Sequence, residues 1–148
     1  MTAAVERQRA IVAEHIRFEN NQDWTGVCTT FVQDERAYYD VVPLGARFKG
    51  IDGVRAFYQS IGQALPDLHI NVTSEIHVPG TSVLEVVITG THRGEFAGVK
   101  PLGNPVRVEM AAFYIFDENS EKLIAERIYY DQTSVMQQMQ GKEQSAVA

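Results

Sequence analysis

The second half of the chain consists of four segments that alternate like β-strands, and helical segments come before them. Leu68 to Val78, Ser82 to Arg93, Val106 to Phe116 and Leu123 to Asp131 each show period-two patterning. They are separated by Pro79-Gly80, by a Gly- and Pro-rich stretch from Gly94 to Pro105, and by Asp117-Glu118-Asn119-Ser120. Upstream, residues 3 to 21 place Val5, Ile11, Val12, Ile16 and Phe18 at helical spacing. Asn20-Asn21-Gln22-Asp23 stops that helix, and Asp23 caps a second one, Trp24 to Phe31. A shorter strand, Arg36 to Val42, ends at Pro43 and Gly45. A third helix begins near Ile51, packs through Val54, Phe57, Tyr58 and Ile61, and stops at Leu65-Pro66-Asp67. Helices first and antiparallel strands afterwards predict an α+β fold, with helices on one face of a curved sheet.

Composition narrows the classes of function. The 148 residues suit one domain able to bury roughly 70% of its unfolded surface, with a disordered tail expected from about 141 to 148. A net charge of −6 and a pI near 5.2 argue against nucleic acid or an anionic membrane as partner. The lone cysteine, Cys28, permits no internal disulfide and reads as a buried inert thiol. No apolar stretch approaches the roughly 18 residues that span a bilayer. Glu6, Arg7, Arg9 and Glu14 are mixed into the first turns, unlike a signal or transit peptide. A cytoplasmic location is therefore expected.

The strands carry a second message. Between Val106 and Phe116 one alternating set is Val108, Met110, Ala112, Tyr114 and Phe116; the other, Arg107, Glu109, Ala111, Phe113 and Ile115, is half apolar. A sheet with apolar residues on both faces must cover both. Helices cover one, so a homodimer through the outer face of the sheet is expected.

Several segments resemble the SnoaL-like polyketide cyclase and ester cyclase group of the nuclear transport factor 2-like superfamily. They are Ala64-Leu65-Pro66-Asp67-Leu68-His69-Ile70, Thr89-Gly90-Thr91-His92-Arg93-Gly94-Glu95-Phe96, Pro101-Leu102-Gly103, Glu126-Arg127-Ile128-Tyr129-Tyr130-Asp131-Gln132 and Met136-Gln137-Gln138-Met139. The likeness covers nearly the whole chain. It implies a cone-shaped α+β barrel with a ligand cavity inside the curved sheet. It also implies an aspartate on the last strand that serves as acid and base in an intramolecular aldol closure, without metal or cofactor. That aspartate maps onto Asp131. A histidine that the family's cyclases carry on the preceding strand falls on Ala112, so another residue completes the site or the chemistry differs.

The candidate site is accordingly Asp131, with Tyr129 two residues earlier as a donor to an enolate or carbonyl oxygen. His92 shares the alternation of Val86 and Ile88 and can share a proton or orient a substrate oxygen. Tyr38, Tyr58, Met110, Ala112 and Tyr114 are candidate pocket walls. Asp40 is a possible second carboxylate and Arg127 a possible inward partner of Asp131. His15, between Ile11 and Phe18, is either a satisfied core histidine or a ligand contact. His15 and Glu19 are i,i+4 on a helix, but two ligands without a third make no metal site; neither metal nor cofactor is expected. The leading expectation is an acid–base enzyme for a small, mostly apolar carbonyl or polyketide-type compound, carrying out aldol cyclisation, isomerisation or dehydration. The alternatives are a ligand-binding protein of the same fold, and an epoxide hydrolase in which Asp40, Arg127 and Asp131 surround one water.

Overall fold

The computed structural model describes residues 2–142, so residues 143–148 of the expected tail lie outside the described residues. In chain order the elements are α1 (Ala3–Asn20), α2 (Trp24–Cys28), β1 (Tyr38–Val41), β2 (Ala46–Lys49), α3 (Gly50–Ala64), β3 (His69–Val78), β4 (Thr81–Thr91), β5 (Pro105–Phe116), β6 (Leu123–Tyr130) and α4 (Gln132–Met139). The six strands form one sheet in the order β2-β1-β6-β5-β4-β3. All neighbours are antiparallel except β1 and β6, which run parallel. This is the α+β arrangement expected, with three differences. Residues 36–42 hold only a four-residue strand, and β2, not foreseen, forms a hairpin with it around Pro43 and Gly45. The second helix also ends at Cys28 rather than Phe31.

The first helix is held where its sequence can do most. Thr2 caps it, and its buried stripe is Val5, Gln8, Val12, His15, Ile16 and Glu19, one face of a 3.6-residue period. Half of that stripe is polar, so each polar group needs a partner. Gln8 finds one at the open edge of the sheet, donating to the Val78 carbonyl and accepting from the Gly80 N–H. Asn20 exchanges two hydrogen bonds with the Ile70 backbone, and Gln22 donates to the Leu68 carbonyl. These side chains occupy the free backbone groups of an edge strand and fix α1 across it. His15 and Glu19 are thereby held over the middle of the sheet.

The loop after β4 closes against the end of α3. Arg93 and Gly94 both donate to the Ala64 carbonyl. A Cβ on Gly94 would lie 2.7 Å from the Gln63 carbonyl carbon and 3.1 Å from the Ala64 nitrogen, where neither backbone atom can give way. Gly94→Ala should therefore cost about 1–3 kcal/mol through forced backbone displacement. Urea unfolding checks this, and an unchanged midpoint would show that the loop yields freely.

Candidate active site

Pairing across the sheet decides which side chains meet. Glu126 of β6 lies opposite Tyr114 of β5 on one side and beside Tyr39 of β1 on the other. Residues paired in this way point to the same face, and that face lies under α1. Tyr39 donates to Oε2 of Glu126 at 3.0 Å, and Tyr58 of α3 donates to Oε1 at 3.1 Å. From above, His15 brings Nε2 to 3.1 Å from Glu126 Oε1 and to 2.9 Å from Glu19 Oε1. His15, Glu19, Glu126, Tyr39, Tyr58 and Tyr114 are all buried.

One arrangement of protons satisfies these hydrogen bonds together. Thr30 spends its hydroxyl hydrogen on the Val27 carbonyl at 2.6 Å, so its oxygen accepts from His15 Nδ1–H at 2.9 Å. Tyr58 spends its hydrogen on Glu126, so its oxygen, 3.1 Å from Nε2, accepts from the second ring N–H. Both nitrogens then carry hydrogen, and His15 is an imidazolium. Electrostatics agree. Burial pulls the His15 pKa down, but Glu19 and Glu126 outweigh it and raise it to about 10. Burial also pushes the Glu19 carboxyl up, as does the Glu126 charge, against the opposing pull of His15. Tyr39, Tyr58 and Tyr114 are driven well above the usual phenol value by burial and by the two carboxylates, so each remains a neutral donor. With both ring nitrogens donating, His15 has no lone pair for a metal ion. Among the described residues no group of three or more His, Cys, Asp or Glu is arranged to hold one.

The two carboxylates differ in support. Glu126 receives both phenol hydrogens, whereas Glu19 Oε1, although close to the imidazolium, has no well-directed hydrogen bond among the described residues. Glu19 and Glu126 form the acidic part of the wall of a cavity of about 80 Å³. Five of the six strands contribute to that wall, among them Tyr39, Ile70, Val86, Tyr114 and Glu126, so the sheet curls around it. Phe57, Tyr58 and Ile61 of α3 and Val135 and Met139 of α4 close it. Tyr114, also in the wall, makes no hydrogen bond among the described residues and can present its hydroxyl to a ligand.

Of the residues singled out from sequence, Tyr58, Met110, Ala112 and Tyr114 line this cavity. His15 stands directly behind it, in contact with both carboxylates. The expected inner-wall position of Asp131 is corrected: its exposed side chain accepts from the Ser134 N–H and caps α4. Tyr129 and Arg127 lie on the outer face, where both contact the Phe113 ring. Asp40 is held there by Arg47 at 2.8 and 2.9 Å, and the Arg47 guanidinium covers Tyr38 at 4.3 Å. His92 is fully buried and, among the described residues, neither ring nitrogen is hydrogen-bonded, but it is not part of the cavity wall. Glu126, Tyr39 and Tyr130 are wall residues that the sequence reading passed over. Glu126 and Tyr130 belong to one alternating set of β6, and Tyr39 lies beside Glu126 on β1.

A curled sheet under helices, enclosing a cavity with buried carboxyl, imidazole and phenol groups in and behind its wall, defines a small α+β barrel. The chain belongs to the SnoaL-like polyketide cyclase family, whose model matches residues 9–139. No curated protein sequence matches it. Among solved structures it is similar to a protein assigned as a SnoaL-like polyketide cyclase from Jannaschia sp. CCS1, with 18% identity, a TM-score of 0.85, and coverage of 97% of this chain and 98% of that one. It is also similar to AclR, assigned as a hydroxylase, from Streptomyces galilaeus, with 20% identity, a TM-score of 0.78, and coverage of 96% and 86%. IdmH, assigned as a polyketide cyclase, from Streptomyces antibioticus, matches at 18% identity and a TM-score of 0.72, covering 90% and 98%. At these identities the likeness is one of fold.

Proposed function

We propose that the chain is a cofactor-independent, cytoplasmic enzyme that moves a proton on a small, mostly apolar carbonyl compound held in this cavity. The observation that carries the reading is Glu19, a wall carboxyl with a raised pKa and an oxygen lacking a directed hydrogen bond, set against an imidazolium and a second carboxylate. A pair of carboxyls in unequal environments separates the proton carrier from the fixed charge. Glu126, tied by two phenols and His15, is the fixed charge; Glu19 is the carrier. Glu19 takes a proton from the carbon beside the carbonyl, and the C–H electron pair forms the enolate double bond. The enolate oxygen receives the Tyr114 hydroxyl, while His15 balances the remaining charge. From a β,γ-unsaturated ketone, return of the proton to the γ-carbon gives isomerisation; attack of the enolate on a second carbonyl, whose alkoxide takes the proton from Glu19, gives cyclisation; and loss of a β-hydroxyl, which leaves as water with the Glu19 proton, gives dehydration.

The size of the cavity bears on the substrate. Pockets for drug-sized ligands hold roughly 300–1,000 Å³ and a benzene-binding cavity about 150 Å³, so at about 80 Å³ the wall must open for an eight-carbon ketone and further for a polycyclic compound. The residue set expected for epoxide hydrolysis does not assemble. Asp40, Arg127 and Asp131 are not gathered around one site, and among the described residues no arginine lines the cavity.

Small ketones in deuterated water test the step. Proton NMR should show exchange beside the carbonyl faster than in buffer, abolished by Glu19→Gln. Ketones that bind without exchanging would overturn the reading in favour of a binding protein. We also propose that two copies associate through the outer sheet face, where Ile76 is 58% and Tyr129 42% exposed. Light scattering at micromolar concentration should give the dimer mass; a monomer would contradict this.

A further inference from the structure

One polar group in the cavity wall has no part in the proposed step. Tyr130 lies on the same face of β6 as Glu126, four residues further on, about 13 Å along the strand. It pairs across the sheet with Met110, and Val135 and Met139 of α4 line the same cavity. Its hydroxyl is buried and has no hydrogen-bond partner among the described residues. A phenol deprived of both water and partner destabilises a fold, and phenylalanine would fill the same space without that cost. We infer that Tyr130 is a specificity-determining donor for a second oxygen of the ligand, so that the cavity selects apolar compounds bearing a carbonyl or ether oxygen remote from the reacting carbon. Burial pushes the Tyr130 hydroxyl up to about 12, which keeps it a neutral donor at any physiological pH. The inference rests on the proposed reading of the cavity as a ligand site, with the first oxygen at Tyr114.

The test compares 2-octanone with 2,7-octanedione, which share a flexible skeleton and differ by one carbonyl. Binding to the wild type and to Tyr130→Phe is measured by calorimetric titration, and thermal unfolding is measured without ligand. The wild type should bind the diketone about three- to tenfold more tightly, the range for one net hydrogen bond. Tyr130→Phe should lose that preference, keep its affinity for 2-octanone, and unfold at the same temperature or higher. A preference that survives in the variant, or is absent from the wild type, would overturn the inference. So would a lower unfolding temperature, which would mean that the hydroxyl already has a partner. Deuterium exchange into 2-octanone separates the two readings: persistence in Tyr130→Phe leaves the Glu19 step standing whatever the binding preference shows. If neither ketone binds the wild type, the ligand site and the inference fall together.

Discussion

Replacing His15 by leucine should cost about 3–5 kcal/mol at pH 8, the range for breaking a buried ion pair from one side, and markedly less at pH 5. The substitution keeps a similar apolar volume between Phe31 and Tyr114, whose rings lie 5.8 and 5.3 Å from the imidazole. It removes the cation that lets Glu19 and Glu126 share one buried space. At pH 5 Glu19, already raised by burial and by Glu126, would take a proton and relieve the repulsion. The wild type should itself lose stability as the pH rises. His15 titrates near 10 when folded against 6.5 when unfolded, so its contribution is complete below pH 6.5 and is lost between there and pH 10. Glu19 acts with the same sign, because burial and the Glu126 charge make its carboxyl lose the proton at a higher pH in the folded chain than in the unfolded one, where the ordinary value is 4.5. Urea unfolding at pH 5, 8 and 10 reads all three effects. A His15→Leu loss that is below about 1 kcal/mol at pH 8, or independent of pH, would mean that the cluster is not charged as described.

The second large effect concerns turnover. On a ketone that exchanges in the wild type, Glu19→Gln should lower the rate by about 10²–10⁴, the range for a positioned acid–base group. Asp131→Asn should leave it within about twofold, because asparagine caps a helix nearly as well as aspartate and position 131 faces solvent. The opposite ranking would return the chemistry to the end of the last strand.

Much of the fold was legible in the sequence because it is local. Alternation located β3 to β6, the Asn20-to-Asp23 stop marked the end of α1 and the start of α2, and the stripe through His15 was visible in α1. The face of β6 was not legible. Alternation divides a strand into two sets but does not say which set faces inward, and a shift of one residue exchanges them. Tyr129, Asp131 and Arg127 were read as inward, whereas pairing of Tyr114 with Glu126 and Met110 with Tyr130 turns the other set toward the cavity. The same slip on β1 favoured Tyr38 and Asp40 over Tyr39. On β5 and α3 the reading held for Met110, Ala112, Tyr114 and Tyr58. His15 and Glu19 were visible as a helical pair, but their partner Glu126 sits on the last strand, 68 residues beyond Tyr58 and 87 beyond Tyr39. That meeting depends on long-range register and not on spacing. β2 escaped notice for a different reason: Ala46–Lys49 is four residues long and half charged, which resembles a loop.

The central claim is that a proton is kept on His15, between two carboxylates, at the wall of the cavity. Nitrogen-15 NMR of the imidazole ring, followed from pH 5 to pH 11, tests it without any substrate. The account predicts shifts of a cationic ring up to about pH 8, with loss of the proton centred near 10. A ring that is neutral at pH 7.5 would contradict it.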